Sequence, residues 1–236
     1  MTAVLPVLAA IDNSTDRLVL AVQGPGGVAT LDEPGAARAS ARLLPALLEL
    51  LNGAGLALSD LDAVAFARGP GAFTGLRVAC ATAQGLAFGL SRPVLPLDSL
   101  LLVAEAARSQ CGADEWWVAM DARMDEVYAA AYRWRGGRWQ TLQAPALWTL
   151  DALVARWAER PPAAVAGSAT AAFGDRLPLP AATLRVDPPG RAAALMRLAQ
   201  AAWDAGGGVD PAQALPLYLR DKVASTTAER AAAAGR

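Results

Sequence analysis

Three stretches of this chain carry residue types that chemistry needs. The first is GPGAFTGLR, residues 69–77, set between a short apolar run and a helical pattern. Free N–H groups at such a turn, with a helix dipole behind them, attract phosphate or carboxylate. No Lys-Ser/Thr follows, so this is not a P-loop, and its glycines fall in a GxGxxxG pattern, one place off the dinucleotide fingerprint. The bland reading is a tight loop that caps and orients the helix, with Phe73 plugged into the core. The second candidate is the pair Asp12 and Asp121, each closing a strand. Facing carboxylates between two lobes suit Mg²⁺ and phosphates, but each also fits the role of accepting backbone hydrogen bonds in its own hairpin turn, beside Ser14 and Thr15 in the first case. The third is MDARMDEVY, residues 120–128, where Arg123 and Glu126 are placed to pair across a hairpin or to meet a partner.

No histidine occurs anywhere in the 236 residues. That excludes Ser-His-Asp and Cys-His catalysis, HExxH metal sites and imidazole proton shuttles. Cys80 and Cys111 alone make no zinc site, and both read as small apolar core residues. No metal site is expected. The formal charge of −1 makes the chain a poor stand-alone ligand for nucleic acid, whose affinity rests on released counterions. An apolar N-terminus without a basic flank, and no apolar run near the ~20 residues that span a bilayer, point to the cytoplasm and away from membranes.

The elements that must position these residues follow from the hydrophobic pattern. Strands are expected at 4–11, 18–22, 63–67, 94–97, 117–120, 126–132 and 163–166. Gly24–Gly27 breaks the chain, and Gly136-Gly137 turns a strand back toward Trp139. Helices are expected at 40–52 with Ser40 as cap, 74–89, 99–108, 151–159 and 191–203, the last returning the chain to its first half. The helix at 40–52 is leucine-rich on more than one face, and the helix at 74–89 carries Ala79, Ala81, Ala83, Gly85, Ala87 and Gly89. Alternating tryptophans around 116–117 and 134–139 suit a clasped hairpin.

Strand, aspartate, turn, strand occurs twice, at Asp12 and at Asp121, each time opening a stretch of about a hundred residues. Such a repeat argues for two related α/β lobes in tandem. The expected boundaries are 1–104 for the first lobe, with 205–222 packing back on it, 105–204 for the second, and a disordered tail at 223–236, where Ala, Ser, Thr and Arg dominate.

AAIDNST at 9–15, RGPGAFTGLRVACATAQGLAFGL at 68–90, MDARMDEVYAAAY at 120–132 and PLYLRDKVA at 216–224 together resemble the bacterial TsaB (YeaZ) family. The resemblance spans most of the chain, in order; 140–205 matches only in outline. It implies an actin-like (ASKHA, ribonuclease-H-like) fold of two lobes. It also implies a non-catalytic role beside a TsaD-type catalytic subunit and a TsaE-type ATPase in threonylcarbamoylation of tRNA adenosine next to the anticodon. The tRNA would be met only through the complex, no cofactor of its own is implied, and nucleotide at the partner boundary is left open. A homodimer is implied for the free protein. By the same resemblance the partner face lies on two first-lobe helices, at Leu44, Leu47, Leu48, Leu51, Val78, Ala79, Thr82, Ala83 and Leu86. The motif loop is Gly69, Pro70, Gly71, Phe73, Thr74, Gly75 and Arg77. Arg38, Arg42 and Arg77 would supply positive charge. The peptidase label attached to some relatives does not suit a chain without histidine. Two rival readings remain: an actin-like kinase or ATPase using Asp12 and Asp121, and a dinucleotide-binding oxidoreductase built on Gly69–Gly75, with Asp98 as the ribose acid.

Overall fold

The computed structural model describes residues 5–35 and 39–220. The expected tail and Arg38 lie outside them. Ten strands form two five-stranded sheets. The first contains β1 (Leu8–Asp12), β2 (Arg17–Gly24), β3 (Gly27–Pro34), β4 (Ala63–Gly69) and β5 (Val94–Asp98), in the spatial order β3-β2-β1-β4-β5. The second contains β6 (Glu115–Asp121), β7 (Glu126–Arg135), β8 (Arg138–Thr149), β9 (Ala164–Ala166) and β10 (Leu184–Val186), in the order β10-β9-β6-β7-β8. Read from the other edge, the second sheet repeats the first strand for strand. In both, the first two pairings are antiparallel and the last two parallel. The repeat seen at Asp12 and Asp121 is therefore a duplication of the whole sheet.

Helices α1 (Ala39–Gly53) and α2 (Phe73–Leu90) cover one face of the first sheet. The other face meets α3 (Ser99–Cys111) and α6 (Ala192–Asp204). β1 is buried along its whole length because both faces are covered: Ala9 and Ile11 point to α1 and α2, Leu8 and Ala10 to the opposite layer. α3 also packs Leu100, Val103, Ala104 and Ala107 against β6 and β7, so one helix serves both sheets. α4 (Leu150–Glu159) and the short α5 (Ala169–Phe173) cover the outer face of the second sheet. The lobes interlock at α3 and α6. Since α6 packs on the first sheet, residues 192–204 belong to the first lobe, not to the second as the boundary at 204 had them.

The structure adds β3, β10 and α5 to the expected elements. β3 follows the expected break at Gly24–Gly27; it is an edge strand, half exposed, with too little apolar alternation to signal itself, and Pro25-Gly26 is its hairpin turn. Helix α1 runs through Pro45 without interruption and includes Ser40, which is not its cap. Gly136 and Gly137, at φ 60° and 75°, do turn β7 back into β8, the left-handed pair a two-residue hairpin requires. Trp134 and Trp139 meet across that turn with ring centres 5.4 Å apart. Cys80 is buried as expected, whereas Cys111, in the last turn of α3, is exposed.

Candidate functional site

The ends of β1 and β6 face a cleft of about 1360 Å³ between the lobes. Asn13, Ser14, Thr15, the loop Pro70–Gly75, Asp121, Arg123 and Arg220 line it. Asp12 is 1% exposed; its Oδ1 accepts from the Ser14 N–H at 2.8 Å, and its Oδ2 is buried without a hydrogen-bond partner. Asp121 Oδ1 accepts from the Arg123 N–H at 2.8 Å, and Oδ2 pairs with the Arg123 guanidinium at 3.2 Å. Each aspartate thus pins its own turn, by the same i+2 bond in each lobe.

The glycine loop is closed on the protein itself. The Ala72 N–H donates to the Ser14 carbonyl at 2.7 Å. A Cβ on Gly71 would collide with that same carbonyl, and one on Gly75 with the carbonyl of Asn13. The β1–β2 turn therefore holds Gly71 and Gly75 small on that side, while the rest of the loop lines the cleft. Gly69, at φ 120°, donates its N–H to Ser99 Oγ at 2.9 Å and approaches the Leu217 carbonyl. Thr74 is exposed. Phe73 does not enter the core: its ring stacks on Tyr218 at 5.2 Å, and the Arg77 guanidinium lies 4.0 Å above it. Asp98 is engaged elsewhere too. It caps α3 through the Leu100 and Leu101 N–H groups and accepts from the Tyr132 hydroxyl at 2.6 Å. Burial pushes the Asp98 carboxyl above its ordinary range, despite those bonds, and together with the neighbouring Asp98 raises Tyr132 far above its own. A ribose-binding acid has no free carboxylate here.

Glu126 pairs with Arg220, not with Arg123, because the turn carries Arg123 away toward Asp121. Among the described residues, no group of three or more Cys, Asp and Glu side chains lies close enough to hold a metal ion. Arg42 is bound to Glu33 and Glu49, at 3.0 and 2.9 Å, so its charge is matched within α1 and β3.

The expected partner face divides in two. Leu47, Leu51, Ala79 and Ala83 are at most 1% exposed and form the core between α1, α2 and the first sheet. They cannot meet a partner: α2 is small on that side because the sheet backbone lies against it. Val78, Thr82, Leu86 and Leu48 lie half-buried, and Leu44 is exposed. The truly outward side of α2 carries Ala81, Gly85, Phe88 and Gly89, one turn apart, with Phe88 79% exposed. Cβ atoms added at Gly85 and Gly89 would meet nothing among the described residues. These residues were visible in the sequence as part of the small-residue pattern, but their phase on the helix was not.

Duplicated five-stranded sheets, helices exchanged between them and a cleft at the ends of the first strands define an actin-like, ribonuclease-H-like α/β protein of two lobes. Residues 19–231 match the family model described as TsaD: tRNA N6-adenosine threonylcarbamoyltransferase. The solved structure of YeaZ from Pseudomonas aeruginosa is 38% identical, with a TM-score of 0.80, covering 91% of this chain and 100% of that one. The tRNA threonylcarbamoyladenosine biosynthesis protein TsaB of Haemophilus influenzae is 43% identical over 121 residues, 51% of each chain. Its Escherichia coli counterpart is 35% identical over 142 residues, 58% of this chain and 62% of that one. This chain belongs to the TsaB (YeaZ) family. It spans between half and two thirds of the length of the curated relatives named here.

Proposed function

We propose that this protein is a non-catalytic subunit in the making of threonylcarbamoyladenosine in tRNA, and that it docks a TsaD-type catalytic subunit through the outer side of α1 and α2. The observation that carries this is the outward stripe of α2. Gly85 and Gly89 cost helix stability, about 1 kcal/mol each relative to alanine, yet no neighbour among the described residues needs them small. Beside them Phe88 stands 79% exposed and Leu44 42%. A second helix brought against this face would use both features, since small residues allow close approach and the aromatic supplies buried area.

A closed glycine loop and aspartates tied to their own turns support a docking role over an actin-like kinase or ATPase. The same face would serve a homodimer of the free protein, so partner and self-association would compete. A TsaE-type ATPase and tRNA would join through the complex, and the assembly would work in the cytoplasm. Among the described residues no helix is long and apolar enough to cross a membrane.

The test is Gly85→Arg and Phe88→Asp, each mixed with a purified TsaD-type protein and scored for co-elution and for tRNA threonylcarbamoylation. Both variants should remain folded, Gly85→Arg with a melting temperature no lower than the parent's, and lose complex and modification together. Undiminished co-elution would refute the docking face, and modification without this protein would refute the subunit role.

A further inference from the structure

The turn joining β6 to β7 contains the longest run of unusual backbone among the described residues. Arg123, Met124 and Asp125 lie at φ 65°, 58° and 57°, three non-glycine residues in succession in the left-handed region. Such a conformation persists only where its surroundings over-determine it. Some of the support is local: the Asp121 bond to the Arg123 N–H, and the Glu126 N–H donating to the Arg123 carbonyl at 3.1 Å. Arg176 adds a bond to Asp125 at 3.0 Å.

The Leu150 N–H at the start of α4 donates to the Asp125 carbonyl at 3.4 Å, and further support comes from the other lobe. Arg220 donates to the Arg123 carbonyl at 3.2 Å and pairs with Glu126, and its side chain is only 12% exposed. It ends a segment, 214–220, that is fastened along α2 and β4. Gln84 donates to the Ala214 carbonyl at 3.0 Å, the Leu217 N–H donates to the Arg68 carbonyl at 2.7 Å, and Arg77 donates to the Tyr218 hydroxyl at 3.2 Å. One extended strap therefore runs from the first lobe to the strained turn of the second. Arg123 and Arg220 both line the cleft it crosses.

We propose that this strap is a latch: Arg220 holds the β6–β7 turn in its left-handed form and thereby fixes the width of the interlobe cleft. With Arg220 removed, the turn relaxes toward right-handed backbone and the lobes gain freedom about α3. Because the strap is anchored on Phe73 and Arg77, at the start of α2, a displacement of that first turn is passed to the far wall of the cleft. The latch does not depend on what docks outside α2.

The test uses the full chain with Arg220→Ala and Arg220→Lys. Lysine keeps the charge but lacks the fork that reaches both the carbonyl and Glu126. Hydrogen exchange of the amides at 122–126 should rise at least about tenfold in Arg220→Ala and by less in Arg220→Lys, with β1 and α3 unchanged. Spin labels at Ser59 and Glu159, in a Cys111→Ser background, should give a broader interlobe distance distribution in Arg220→Ala than in the parent. Unchanged exchange at the turn, an equal rise in every segment, or a distance distribution as narrow as the parent's would each overturn the latch.

Discussion

Replacing Glu105 with alanine should be the most damaging single polar change in the described structure. Glu105 sits in the middle of α3 with its side chain 3% exposed, where the two lobes meet. Its carboxylate accepts from Arg197 on α6 at 2.5 Å, from Arg108 at 3.2 Å and from the Trp139 indole of β8 at 2.9 Å. One residue therefore ties both interlocking helices and the second-lobe hairpin together. Burial pushes this carboxyl up, but the hydrogen bonds from Arg108, Arg197 and Trp139 outweigh it and leave it below the ordinary range. Removing one member of a buried ion pair costs roughly 3–5 kcal/mol when the other charge is stranded. Here Arg108 and Arg197 are 24% and 45% exposed and regain water, so the lower end applies, about 3 kcal/mol. For a chain of this size that is a fall in melting temperature of roughly 6–12 °C. Urea unfolding at pH 7, followed by tryptophan fluorescence, reads it directly. Arg197→Ala should cost less than half as much, since Arg108 remains in place. A loss below about 1 kcal/mol for Glu105→Ala, the level of an exposed pair, or a larger loss for Arg197→Ala than for Glu105→Ala, would refute the reasoning.

The same carboxylate sets an acid limb. Its folded pKa is lowered, so its contribution is complete above the unfolded value and is lost as pH falls through the folded one; Glu105→Gln should be less stable at pH 7 and lose less between pH 5 and 3 in urea midpoints. Asp98 acts with the opposite sign. Its folded pKa is raised, so stability is present below the unfolded pKa and lost as pH rises through the folded one, and Asp98→Asn should remove that loss in the same titration. Gly75→Ala should destabilise by about 2 kcal/mol or more, because the new methyl meets the Asn13 carbonyl and the loop must shift. Gly85→Ala should raise stability by up to about 1 kcal/mol, since nothing opposes the added methyl on that face; a loss there would mean the face is already covered.

The duplicated plan was legible because a strand, an aspartate and a turn leave the same trace twice in the chain. Which side of each helix faced inward was not legible. The alanine and glycine residues of α2 occupy both sides: Ala79, Ala83 and Ala87 face the sheet, while Ala81, Gly85 and Gly89 face outward. Composition alone cannot separate a side kept small by a sheet from one kept small by something else. Leu47 and Leu51 were misplaced for the same reason, as a leucine-rich helix does not announce its phase. Glu105 did leave a signal that was missed: it is the only charged residue from Ser99 to Ala107, and a lone acid in such a stretch needs partners if the helix is buried. The pairing of Arg123 with Asp121 left no trace, because it depends on left-handed backbone in residues that rarely adopt it.

The two halves have kept the same frame and diverged in what they add to it. In each, the loop after the fourth strand presses a glycine against the end of the first: Gly71 and Gly75 against Ser14 and Asn13, and Gly167, at φ 113°, against the Ala119 carbonyl. In each, an aspartate at the end of the first strand pins the following turn. The helix that follows the loop is 18 residues long in the first lobe and 5 in the second. A five-residue helix makes little more than one turn, so α5 cannot present the several turns of small and apolar side chains that α2 turns outward. At the β6–β7 turn the Leu150 N–H that opens α4 donates to the Asp125 carbonyl at 3.4 Å, and the segment 214–220 reaches the same turn from the opposite lobe. On a shared frame the lobes thus differ in the helix after the fourth strand, and the segment 214–220 is an addition that the second lobe receives from the first.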